Sequence, residues 1–512
     1  MSEFARLAED IAGHGVRYVY GITGSGAILS VLDELEKRGV DPVRTYFEGS
    51  AAIMAATDGR LAGRSGVAYS IKGPGLANMV PGLAVASLDA WPMLALTEAY
   101  PRSAGPEKAH KRLDHVLLTG AVAKGARVLS QRGPDFRALA GWAESEVPGP
   151  VILELAGAEA TEEPVPSPAH VRDQSEDLLT LLAASRRPVV IAGSLAVRRG
   201  WGSDLARLNM PVFCTAAAKG VVDERLEHAA GVYTGVGLEL TAERCVLPQA
   251  DLVLGLGLRP NELLSTRPFH CPAVNIDAAG PPGIEAFGFA ARAADIDERI
   301  WELLRAKRWG LDPLQSCLQR LDQTLVRGFL PGAAFQVMEK CLGRDVQLVM
   351  DTGYFCTIGE HVWRASHVNG CLFSAQGRYM GTSVPMAIGA AMHDPSRTVV
   401  AVAGDGGIAM YLGEIRIAVE RGLPILFVLM TDGRFGSVAT RALKDGLTRT
   451  PIDIAHPSWQ KVMEAFGLPA WHVRDASRLA DAVAQWSKTR GPGYVEVEFQ
   501  PEPYERMCEG IR

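Results

Sequence analysis

An α/β protein of three doubly wound parallel-sheet domains is what this sequence predicts, and three observations carry the prediction. Length is the first: 512 residues exceed what one hydrophobic core holds and imply about three domains. Short runs of β-branched and small apolar residues, such as TVVAVA and ILFVLM, are the second, because they have the length of buried parallel strands and alternate with longer helical stretches. The third is an internal repeat. GVAYSIKGPGLANMVPGLAVASLDAWPMLALTEA runs strand, Gly-X-Gly turn, helix, Trp-Pro, strand, then Thr and an acid, and the stretch around Gly404 follows the same plan with Leu-Pro. Gly73 to Pro92 is 19 residues and Gly404 to Pro424 is 20, and both halves close on similar strands, GPVILEL from Gly149 and GPGYVEVEF from Gly491. The expected domains are residues 1–165, 174–325 and 330–512, the first and third being copies of one fold suited to holding a cofactor between them.

Composition narrows the function classes. A hydrophobic content of 47% with 21% charged residues is that of a soluble protein, and a net charge of -6 offers no basic face to nucleic acid. No apolar run has the length of a membrane span. The eight cysteines form no CxxC and no metal-ligand spacing, so free thiols in a reducing compartment are expected. Glu3, Arg6, Glu9 and Asp10 argue against a signal peptide, and a cytoplasmic location follows as an expectation.

Taken in order, Phe4 to His14 has helical spacing with Phe4, Leu7, Ala8 and Ile11 on one face. The strand VRYVYGI then runs into Gly24-Ser25-Gly26, where the lack of a following GK[ST] excludes a P-loop. After a helix from Ala27 to Arg38, the stretch RTYFEGSAAIMAATDGRLAG places Glu48 between a short strand and an alanine-rich helix. This carboxylate either caps the helix through its dipole or is a functional acid held away from water. Lys72 precedes the Gly73-Pro74-Gly75 bend, and Pro164 to Asp173 reads as a linker. In the middle segment, RRPVVIAGS, MPVFCTAA, ADLVLGLGLRPN and PAVNIDAAG are four buried-strand patterns, and their glycines are too irregular for a dinucleotide fingerprint.

The stretch from Gly404 to Gly436 carries the chemistry. Gly404, Asp405, Gly406 and Gly407 follow a predicted strand, where glycines let backbone N–H groups approach an anion. Met410 to Arg421 is expected to be one helix, and the next strand ends at Thr431, Asp432 and Gly433. Neighbouring parallel strands bring Asp405 and Asp432 to one sheet edge, and paired hard oxygen ligands there suit Mg²⁺ holding a diphosphate.

A GDG turn followed 27 residues later by a metal-ligating side chain, with Leu-Pro ahead of the second strand, resembles the motif of thiamine-diphosphate (ThDP) enzymes of the acetolactate synthase, pyruvate oxidase and pyruvate decarboxylase type. Asp432 stands where those enzymes carry Asn. The resemblance implies that Asp405, Asp432 and the carbonyl of Arg434 bind Mg²⁺, and that Gly404, Gly406, Gly407, Gly433 and Gly436 line the diphosphate. FEGSAAIMAATDGRLAG and KGPGLAN stand at the family's Glu and SGPGATN positions, so Glu48 is implied as the acid bonded to the aminopyrimidine ring, with Asn78 nearby. RYMGTSVPMAIGAA places Met380 as the apolar prop beneath the cofactor, with Gly381 beside it, and VMDTGYF offers Thr352 and Gly353 to the diphosphate. Relatives also hold the two ends of the cofactor on different chains, which implies a homodimer or homotetramer.

The substrate side departs from the family. Ile71 replaces an active-site His of several decarboxylases, and Ala109, His110, Lys111 and Arg112 replace the AFQE of pyruvate-using carboligases. Ser25, Lys72, His110 and Lys111 are therefore the substrate candidates, and a lysine in a partly dry site suggests a 2-oxo acid with an extra anionic group. The implied reaction is decarboxylation of a 2-oxo acid with transfer of the acyl-anion equivalent to a carbonyl acceptor. Simple decarboxylation to an aldehyde and a non-catalytic ThDP-fold subunit are the alternatives. Some relatives carry a flavin in the middle domain; here a structural role is expected, without FAD.

Overall fold

The computed structural model describes residues 2–511 apart from 102–103, 106–109, 130–134, 156–174, 266, 278–286, 288, 293–295, 449 and 455–457, so the expected linker Pro164 to Asp173 lies outside the described residues. The chain divides into two compact units, Met1–Pro168 with Gly381–Val399 and Ala409–Ile425, and Ala169–Met380 with Val400–Ile408 and Leu426–Arg512.

Among the described residues the strands form three six-stranded sheets with parallel pairing. The first comprises β1 (Tyr18–Gly21), β2 (Asp41–Arg44), β3 (Gly66–Ser70), β4 (Met93–Glu98), β5 (Gly125–Val128) and β6 (Pro150–Leu155), in the order β2-β1-β3-β4-β6-β5. The middle sheet comprises β7 (Pro188–Ala192), β8 (Val212–Cys214), β9 (Ala229–Val232), β10 (Leu252–Leu256), β11 (Ala273–Asp277) and β12 (Phe289–Arg292). Its order, β12-β11-β10-β7-β8-β9, is that of the dinucleotide-binding fold. The third holds β13 (Gln347–Met350), β14 (Cys371–Leu372), β15 (Val399–Gly404), β16 (Ile425–Thr431), β17 (Ala470–Val473) and β18 (Gly493–Glu498), ordered β14-β13-β15-β16-β18-β17. Counted from their own first strands, the first and third sheets share the order 2-1-3-4-6-5, so the internal repeat is a repeat of topology.

In the first unit, the Glu48–Ala62 helix is buried from Glu48 through Gly59, and an all-round small and apolar surface demands such burial. Glycines permit the close packing: a Cβ on Gly82 would lie 2.2 Å from the Gly49 carbonyl, and one on Gly389 would lie 2.8 Å from that of Met54. Gly389 belongs to the Ser383–His393 helix, whose residues from Ser383 through Met392 are all buried. Buried Asp58 is met there by His393 Nδ1 at 2.9 Å.

Three expectations are corrected. Met410 to Arg421 is not one helix: helix Asp405–Met410 ends before Tyr411, whose φ of -125° and ψ of 29° are not helical, and a 3₁₀ turn, Leu412–Glu414, leads into helix Ile415–Arg421. The interruption turns the Glu414 carboxylate inward, to accept from Ser50 Oγ at 2.6 Å and from the Tyr46 N–H at 3.1 Å. The middle sheet has six strands, not four; β9 and β12, AAGV and FAAR, lack the run of β-branched residues by which the other four are read. Cys245 and Cys317 form a disulfide, so the cysteines are not all free thiols. Among the described residues, no helix is long and apolar enough to cross a membrane.

Burial holds the Glu414 carboxyl above its ordinary value of 4.5, against the bonds from Ser50 and Tyr46. The folded chain thus keeps this proton at pH values where the unfolded chain has lost it, so Glu414 contributes progressively less stability as pH rises from that value through the folded one. Urea unfolding of Glu414→Gln from about pH 4 to about pH 8 should show a shallower decline than the parent. An identical decline would remove Glu414 as its source.

Candidate active site

At the end of β15 the chain turns through Gly404 into Asp405, which is only 4% exposed. Asp405 Oδ1 accepts from Thr431 Oγ1 at 2.5 Å, and Oδ2 from the Asp432 N–H at 3.3 Å. The expected edge is therefore formed, with β16 delivering Asp432 beside Asp405. Burial, then the Asp405 charge, pushes the Asp432 carboxyl up to about 7, against the nearby Arg434 guanidinium. Asp432 Oδ2 is buried and has no hydrogen-bond partner among the described residues. Such an orphaned oxygen beside a second carboxylate is a pair of hard oxygen donors that could hold a cation.

The turn residues surround this pair. A Cβ on Gly406 would lie 2.2 Å from the Phe435 ring and 3.1 Å from Met380 Sδ, so this glycine lets both side chains close on the turn. A Cβ on Gly404 would reach Phe355 at 3.0 Å, and one on Gly436 would reach Tyr504 at 3.1 Å. Gly407 is buried in the Asp405–Met410 helix. Gly433 has φ +75° and Gly381 φ +87°, conformations that favour glycine. The Thr352 N–H donates to Asp351 Oδ1 at 2.8 Å, and Gly353 adjoins Phe355. Arg434 turns its side chain to Glu505, at 2.5 Å, and Asp453, at 3.3 Å.

In the first unit, Glu48 lies in the first turn of its helix and is 5% exposed. Its Oε2 accepts from Asn78 Nδ2 at 3.1 Å, and a Cβ on Gly75 would stand 3.3 Å from Oε1. The Gly73-Pro74-Gly75 bend thus delivers Asn78 and leaves room beside the carboxylate. Lys72 is not the unmatched cation its place in the sequence suggests: its Nζ lies 3.1 Å from Glu98 Oε2 and over the Tyr100 ring at 5.0 Å. Its charge is balanced within the chain. Glu98, which sequence reasoning missed as a partner, also accepts from the Ile28 N–H at 3.2 Å. The glycine cluster serves the same edge, because a Cβ on Gly24 would strike Ile71 at 2.1 Å and one on Gly26 would strike Glu98 at 2.3 Å. Ser25 between them is exposed, as are His110, Lys111 and Arg112; Ala109 lies outside the described residues.

Three domain families of thiamine pyrophosphate (TPP) enzymes match the chain in sequence order: the N-terminal TPP binding domain over residues 3–118, the central domain over 175–279 and the C-terminal TPP binding domain over 351–497. The chain belongs to the thiamine-diphosphate-dependent enzymes. It is similar to the catabolic acetolactate synthase of Raoultella terrigena, at 26% identity over 97% of this chain and 95% of that protein. The acetolactate synthase of Bacillus subtilis (strain 168) is also 26% identical, over 96% of this chain and 92% of its own length. The isozyme 3 large subunit of acetolactate synthase from Escherichia coli (strain K12) shares 26% over 94% of the chain.

The residues fit the cofactor of this family. Among the described residues, no three His, Cys, Asp or Glu side chains cluster as a complete metal site. Asp405 and Asp432 suit Mg²⁺, which binds through one or two carboxylates and takes its remaining oxygens from phosphate and water. The middle domain of this ThDP-dependent enzyme is different. At its strand-order reversal, where β7 adjoins β10, buried Glu262 accepts from the Ser194 N–H at 3.0 Å, from Ser194 Oγ at 2.5 Å and from Thr215 Oγ1 at 2.7 Å. A side chain of the protein thus already meets the N–H that a phosphate would seek there.

At pH values above about 7, metal-free protein holds two adjacent carboxylates, Asp405 buried and Asp432 half-buried, an arrangement that costs stability. Asp432→Asn should therefore stabilise the metal-free protein at about pH 8 by ~1–3 kcal/mol in urea unfolding, and by less when Mg²⁺ is present. An equal or lower stability in the absence of metal would remove the repulsion.

Proposed function

We propose that the chain decarboxylates a 2-oxo acid in the presence of ThDP and Mg²⁺ and joins the remaining fragment to a carbonyl acceptor. The observation that carries the reading is the pairing of Asp405 with the orphaned Asp432 oxygen at a glycine turn, in a chain matched by all three ThDP-enzyme domain families. The acetolactate synthases similar to it support joining over simple release of an aldehyde. Bound ThDP supplies the electron sink that lets a 2-oxo acid lose CO₂. Asp405, Asp432 and the Arg434 carbonyl would hold Mg²⁺ and through it the diphosphate, with the backbone of Gly404, Gly406 and Gly407 alongside. Met380, packed against Gly406, would support the cofactor from below. Glu48, kept from water and oriented by Asn78, would hold and move a proton at the aminopyrimidine nitrogen. The carboxylate at the middle-domain crevice supports a structural role there, without FAD.

Calorimetric titration with ThDP and Mg²⁺ tests the metal site: Asp405→Ala should lose binding, whereas Asp432→Asn should keep it, because an amide oxygen still ligates. Unchanged affinity in Asp405→Ala would overturn the assignment. A panel of 2-oxo acids, read by CO₂ release and mass spectrometry of products, tests the reaction and separates joining from aldehyde release.

The assembly we infer is a homodimer, or a pair of dimers, in which Glu48 of one chain serves the diphosphate site of another. Mixing inactive Glu48→Gln and Asp405→Ala chains should then restore activity through hybrid sites. Full activity of a monomer in sedimentation-coupled assays would exclude it.

A further inference from the structure

A cavity of about 680 Å³ lies wholly within the first unit, lined by Lys72, Tyr100, Lys111, Arg112, His115 and Arg127, with Asp114 and Glu154 as the carboxylates in its wall. Both carboxylates are committed. Asp114 caps a short helix by accepting from the Leu117 N–H at 2.9 Å, and Glu154 lies 2.8 Å from His115 Nδ1. His115 Nε2 accepts from the Gly73 N–H at 3.2 Å, so the ring's donor faces Glu154. Lys72 is matched by Glu98. Lys111 and Arg112 are matched by no carboxylate: among the described residues the Lys111 ammonium has no hydrogen-bond partner, and Arg112 donates only to the Ala104 carbonyl, at 2.9 Å.

The loop carrying these two cations is fixed to the turn that serves Glu48. Lys111 has φ +59°, uncommon for a side chain of its size, and its carbonyl would lie 2.0 Å from a Cβ on Gly73. Only a glycine at 73 admits that contact. The same bend brings Gly75 against Glu48. Thus the loop that lines the cavity packs on the bend that flanks the buried acid, and the cavity presents a surplus of positive charge.

Resting on the reaction proposed above, we propose that this cavity is a subsite for a second anionic group of the substrate, a carboxylate, sulfonate or phosphonate beyond the carboxylate of the 2-oxo acid itself, bound by Lys111 and Arg112. A guanidinium fork beside an ammonium point charge matches a group with two or three charged oxygens.

The double variant Lys111→Gly, Arg112→Gln removes both charges and keeps the left-handed backbone at 111; if it fails to fold, Arg112→Gln alone gives the same readouts. Calorimetry with methylphosphonate on ThDP- and Mg²⁺-loaded protein should show binding that weakens at least about tenfold in the variant, the scale of a lost charge-assisted hydrogen bond. In turnover, the kcat/KM preference for chain-matched 2-oxo acids ending in carboxylate, sulfonate or phosphonate over 2-oxobutanoate should fall by a similar factor, mostly through KM. The ranking of the three tails identifies the group. Methylphosphonate that fails to bind the parent, or binds the variant as tightly, overturns the subsite whatever is turned over. If no 2-oxo acid releases CO₂ while methylphosphonate binding depends on the two cations, the subsite stands and the proposed reaction falls.

Discussion

Two carboxylates at matching places on two related sheets have opposite surroundings, and the functional geometry depends on that difference. In both copies the fourth strand ends in Thr followed by an acid, Thr97-Glu98 on β4 and Thr431-Asp432 on β16, and in both the threonine hydroxyl reaches the end of the third strand. Glu98 is neutralised by Lys72. Asp432 faces a second acid and keeps an unpartnered oxygen. A shared fold would place both acids equally well, so it is the local charge that makes one copy self-sufficient and leaves the other with an acid facing an acid.

The burial of Glu48 follows from packing more than from its own neighbours. Its helix is lined by glycine, alanine and serine, which let the flanking helices approach so closely that water has no path along most of its length. An acid in the first turn of such a helix is held dry at the helix end that favours negative charge, with one amide, Asn78, fixing its orientation. Dryness and orientation are what a proton-transferring group requires.

Much of this was legible in the sequence because it is local. Strand-length apolar runs and the Asp405-to-Asp432 spacing each lie within one α/β repeat, and the duplicated plan matches the strand order that the first and third sheets share. What escaped depends on residues far apart in the chain. Lys72 reads as an unmatched cation until β3 and β4 are paired and Glu98 arrives beside it, 26 residues on. Glu262 reads as a loop acid until the fold brings it to Ser194, 68 residues away. The interrupted helix at Tyr411 escaped for a similar reason, since the pull on Glu414 comes from Ser50. Composition and periodicity do not report such pairs; only the folded contacts do.

The division of the chain into compact units does not follow its sheets, because residues 381–399 and 409–425, which flank the Asp405 turn in sequence, belong with the N-terminal domain. This bears on how such proteins can be recombined. A chimera joined between the middle and C-terminal sheets would set a foreign Ser383–His393 helix against a native Glu48–Ala62 helix, where the Gly389 contact with Met54 leaves no room for a single added methyl group. Exchange of the whole diphosphate half is therefore the less conservative graft.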